Sequence, residues 1–65
     1  MEPTTYEHMG KLFKLTPITQ DGLPSYVGEY GQWQSICIGT HDQAGRESAI
    51  ITLKARYTLH MALPR

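Results

Sequence analysis

The most regular stretch of the chain is its last third. From Ile51 the odd positions are Ile51, Leu53, Ala55, Tyr57, Leu59 and Met61, all apolar or aromatic. The even positions, Thr52, Lys54, Arg56, Thr58 and His60, are all polar. A period of two puts the apolar set on one face of a strand, whereas at 100° per residue it scatters round a helix. The alternation therefore predicts a β-strand over Ile51–Met61. Strands usually run about 5–6 residues, so one this long is expected to bend round a small barrel or to pair partly outside its own chain.

Three shorter strands are predicted ahead of it. Over Lys11–Ile18, Phe13 and Leu15 share one face while Leu12, Lys14 and Thr16 share the other; Pro17 places this strand at an edge or ends it. The Asp21-Gly22 dipeptide marks a turn. Ser25–Tyr30 follows, with Gly28 marking a bulge or a close backbone approach. Gly31 permits a tight turn into Trp33–Ile38, where Ile36 and Ile38 share one face and Trp33, Ser35 and Cys37 the other. Gly39–Glu47, the most polar stretch, reads as an exposed loop with room for one helical turn. Met1–Gly10 is ambiguous. Thr4 and Glu7 match a capping box, and Tyr6, Met9 and Phe13 fall at helical spacing, so a short N-terminal helix competes with an extended arm. The predicted fold is thus mainly β, a small antiparallel meander or partly open barrel, with or without a short N-terminal helix that would make it α+β.

Sixty-five residues allow one small domain, 1–65. A chain this short buries only about 60% of its unfolded surface, and often relies on disulfides, a metal or a partner chain. An internal disulfide is excluded because Cys37 is the single cysteine. Lying between Ile36 and Ile38, with no basic neighbour in sequence, it reads as a small buried hydrophobe rather than a reactive thiol. Cys37 and His41 have a ligand-like spacing with Asp42 beside them, but no second ligand pair completes a zinc site. No cofactor or metal is expected. Self-association is left by elimination.

Six basic and six acidic residues cancel, so no strong field steers the chain to nucleic acid. Met1-Glu2-Pro3 opens no signal peptide, and no apolar run approaches the ~20 residues of a membrane span. A cytoplasmic protein is expected. No motif assembles a nucleophile with its base, and a non-enzymatic protein is expected.

Two binding classes remain. The first is a small regulatory or protein-interaction module, self-associating through a β edge and binding another protein. The second is a nucleic-acid-binding sheet, with Lys54 and Arg56 on one strand face and tyrosine and tryptophan rings as stacking surfaces. The neutral charge favours the first. The candidate surface comprises Lys54, Arg56 and His60 on the last strand, Tyr30 and Trp33 at the preceding turn, and His41, Asp42 and Arg46 in the polar loop.

Overall fold

The structure is a computed structural model that describes residues 3–62; Met1 and Glu2 of the ambiguous first segment lie outside them. Four strands, β1 (Thr4–His8), β2 (Lys11–Gln20), β3 (Leu23–Tyr30) and β4 (Trp33–Ile38), precede one helix, α1 (Gln43–Ala62). The strands pair in chain order as a single antiparallel sheet. The sheet is open, with α1 packed against β3 and β4 on one face.

Each reversal of the sheet takes two residues. Met9-Gly10 and Asp21-Gly22 both have positive φ at both positions, the pattern of a type I′ turn. Asp-Gly suits that conformation. Met9, at φ 56°, does not, and this is why the first hairpin is hard to read from sequence. The expected N-terminal helix is therefore absent: Tyr6 lies opposite Phe13 across β1 and β2, and the helical spacing of the two rings is coincidental.

Pro17 sits inside β2 without breaking it. Residues flanking a two-residue turn exchange both ladder bonds, so counting from Gln20–Leu23 and His8–Lys11 aims even residues of β2 at β3 and odd residues at β1. Pro17 is odd, and the described pairing with β1 ends at Thr4–Leu15. Its missing N–H falls beyond the described pairing with β1.

The predicted last strand is a helix, and α1 overturns that expectation. Gly45, Ala49, Leu53 and Tyr57 are its buried residues, one every four positions. The odd-position alternation contained Leu53 and Tyr57 of these, but its Ile51, Leu59 and Met61 point to solvent. Between Arg46 and Ala62 the chain has neither glycine nor proline, and alanine, leucine, lysine and arginine favour a helix. The helix begins at Asp42, whose Oδ1 accepts from the Gly45 amide at 2.7 Å while its carbonyl accepts from Arg46 N at 2.9 Å. The segment expected to be a polar loop is largely its cap and first turn.

The core lies between sheet and helix: Tyr6, Phe13, Leu15, Tyr26, Cys37, Ala49, Leu53 and Tyr57, with Trp33 and Ile50 packed against it. Gly28 brings the layers together, since a Cβ there would meet Leu53 Cδ1 at 2.9 Å. Phe13 is the hub of an aromatic cluster, stacked on Tyr6 at 5.1 Å and meeting Tyr57 and Trp33 edge-on at 4.8 and 5.8 Å.

Candidate interaction surfaces

Several residues of the expected polar surface bond back to the fold. On a helix, residues two apart point about 200° away from each other, so Lys54 and Arg56 do not share a face. Arg56 reaches back to the sheet, its Nη1 donating to Ser35 Oγ at 3.1 Å and to Ile36 O at 2.5 Å. Ladder parity, set by Tyr30–Trp33 and by Gly39 N donating to Pro24 O at 3.0 Å, aims Gln34, Ile36 and Ile38 outward from β4. Arg56 therefore caps a carbonyl of the free sheet edge, one of the ways an edge is blunted against further pairing.

His41 and Asp42 hold the chain's path from β4 into α1. His41 Nε2 lies 3.0 Å from Ile18 O and 3.1 Å from Ser25 O; both partners are carbonyls, so Nε2 bears the proton. Its ring meets Tyr26 edge-on at 5.4 Å, and Tyr26 Oη donates to Thr40 O at 2.8 Å. Asp42 accepts a second bond from Thr40 Oγ1 at 2.8 Å. The Gly45 amide, followed by the Thr40 hydroxyl, holds its carboxyl below the usual range. Arg46 is half-buried in the first turn of α1.

Tyr30 and Trp33 are rim members of the aromatic cluster; Trp33 meets Tyr57 edge-on at 5.2 Å. His60 is exposed, with its ring 6.3 Å from that of Tyr57. A shallow open depression of about 530 Å³ is lined by Gln32, Trp33, Gln34 and His60. Another, about 680 Å³, lies along β1 and β2 beside Leu12 and Lys14. Neither lining brings a nucleophile together with a base. Among the described residues no three His, Cys, Asp or Glu converge as metal ligands.

Cys37 is buried, as its isoleucine neighbours suggest, with Sγ 3.8 Å from Ala49 O. Burial pushes its thiol up, against a weaker opposing pull from Arg56. Tyr6 Oη is also buried, without a hydrogen-bond partner among the described residues. Burial, with a smaller contribution from Cys37, pushes its pKa up to about 12.

A further unclaimed surface is the sheet face opposite α1. Register places on it the rows Thr16–Val27–Ile36 and Ile18–Ser25–Ile38, with Leu23 beyond them; Ser25 itself is fully buried. Ile38 is 69% exposed and Ile36 37%, while Val27 and Ile18 are half-buried. Leu12 adds a separate exposed apolar side chain near β1, 65% accessible. This surface was absent from the expected one, although its signal was present: Trp33–Ile38 is apolar on both faces, and a single helix covers one.

Comparison with known protein families, curated protein sequences and solved structures gives no match to this chain. The site therefore rests on its own geometry. No described helix is long and apolar enough to cross a membrane.

Proposed function

We propose that the protein is a non-enzymatic interaction module whose docking surface is the helix-free face of its sheet. The observation that carries this reading is the contiguous apolar patch of Ile18, Val27, Ile36 and Ile38. An exposed apolar patch with polar neighbours is a common mark of a protein-binding surface. Docking through the face replaces the edge route expected from the sequence, because the long strand is a helix and Arg56 occupies Ile36 O on the β4 edge. The nucleic-acid reading has less support, since Lys54 and Arg56 diverge and Trp33 packs against the core cluster.

The test is retention of protein from a nuclease-treated cell extract on the immobilised chain, compared with its Ile38→Glu variant. A partner held by the wild type and lost from the variant supports the reading. The same partner held equally by both defeats it.

A further inference from the structure

We propose that the occupant of the helix-free face is a second copy of this chain, packed sheet to sheet about a two-fold axis that runs across the strands. This inference rests on the face being a docking surface and names what docks there.

The pattern of rows is what selects a copy. In order along the strands, the face carries the row Thr5–Lys14–Glu29–Gln34, then Thr16–Val27–Ile36, then Ile18–Ser25–Ile38, then Gln20–Leu23. A two-fold axis lying in the face, between the middle two rows, exchanges them. Ile36 then sits over Ile38 of the second copy, and Ile38 over its Ile36. Val27 covers Ser25. The row containing Lys14 and Glu29 meets Gln20 and Leu23, so neither charge opposes its like. An axis parallel to the strands along β3 would instead set Glu29 against Glu29, which like-charge repulsion disfavours. The face is thus self-complementary in one orientation, as an isologous contact requires.

Its size sets the strength. Strands about 4.8 Å apart and residues rising about 3.4 Å make three strands by four rows on the order of 400 Å² of flat face per copy. Side-chain relief brings the total for two copies to roughly 1,000 Å², in the range of weak, reversible complexes. Aligned sheets pack about 10 Å apart with strands within about 30° of one another, which this arrangement satisfies. The outer surface of α1 also exposes Ile51 and Leu59, but they lie two turns apart with Ala55 between them and form no comparable plane.

The experiment is solution mass by light scattering and sedimentation from about 1 µM to 1 mM, a span that covers weak interfaces. It uses the wild type, Ile36→Lys, Ile38→Glu, an equimolar mixture of those two variants, and Ile51→Glu, each checked for native circular dichroism. The two-fold pairing expects a concentration-dependent dimer for wild type and Ile51→Glu, at least tenfold weaker association for each sheet variant alone, and recovery in the mixture. In the mixed pair the introduced ammonium meets the introduced carboxylate, while Ile38 of one chain meets Ile36 of the other. A wild-type monomer at every concentration overturns the inference. So does a dimer broken only by Ile51→Glu, or two weakened variants that do not rescue each other. If the wild type is monomeric yet still retains an extract protein that Ile38→Glu loses, the docking surface stands and only its occupant is wrong. If that retention also fails, both fall.

Discussion

Replacing Tyr6 by phenylalanine should make this protein more stable, although it removes a polar group from the core. Tyr6 is 7% exposed, and its ring stacks on Phe13, an arrangement that phenylalanine preserves. Its hydroxyl has no hydrogen-bond partner among the described residues. Leaving such a group buried and unsatisfied costs about 1–3 kcal/mol. Deleting one oxygen opens a void smaller than a methyl group, which takes back less than about 1 kcal/mol. The net gain expected is about 1 kcal/mol, or roughly 4–8 °C in melting temperature for a chain of this size. Thermal denaturation at pH 7, followed by circular dichroism, reads it directly. A second arm is alkaline. An unfolded tyrosine ionises near pH 10, whereas Tyr6 holds its proton to about 12. Its folded pKa is thus raised, so stability linked to this group is whole below pH 10 and is lost as pH rises through about 12. Tyr6→Phe lacks that loss, and its advantage should widen over the window. Tyr26, also pushed up by burial, keeps its own alkaline loss in both proteins. A melting temperature lowered by several degrees in Tyr6→Phe would refute the reasoning, because it would mean the hydroxyl has a partner that holds the core together.

Gly45→Ala reverses the usual rule for a helix interior, where alanine gains about 1 kcal/mol over glycine: its Cβ would run into the Thr40 carbonyl oxygen, and urea titration should show a loss of about 2 kcal/mol or more. Asp42→Ala should lower the melting temperature by removing the cap on α1, and Asp42→Asn should restore most of it. Because the folded carboxyl is held low, the wild-type contribution is present above about pH 4 and lost as pH falls through the folded value; melts at pH 7 and pH 3 should show the gap between wild type and Asp42→Ala narrowing at acid pH. Arg56→Ala frees Ile36 O on the β4 edge and should speed aggregation on heating, measured by turbidity; an unchanged rate would mean the guanidinium does not protect the edge.

The sheet was largely legible because its devices are local. Asp21-Gly22 turns where the dipeptide requires it, the faces of β2 and β4 follow the alternation of their side chains, and Gly28 allows the close approach that was one of its two readings. The first hairpin was hidden because Met9 occupies a left-handed position that sequence assigns to glycine, asparagine or aspartate. The helix was misread for a different reason. Its buried residues, Ala49, Leu53 and Tyr57, are four apart, a spacing that a period of two also contains, and the exposed Ile51, Leu59 and Met61 completed a false strand. Of the expected surface, Arg56 and His41 bond to carbonyls and a hydroxyl that only the tertiary arrangement brings near, while Asp42 bonds locally to the Gly45 amide and the Thr40 hydroxyl as the cap of α1. The apolar face was overlooked because side chains that look like core in sequence need a second layer to bury them, and this chain has one helix for two faces.

The strictly sequential order of the strands has a kinetic consequence. Every neighbour in the sheet is also a neighbour along the chain, joined by two residues, so the hairpins close at low entropic cost. Topologies made of such local contacts fold fast. The step that spans the greatest distance along the chain is the docking of α1, which brings Tyr57 against Phe13. Trp33, the single tryptophan, lies edge-on to Tyr57, so its fluorescence is a built-in clock for the moment the helix seats on the sheet.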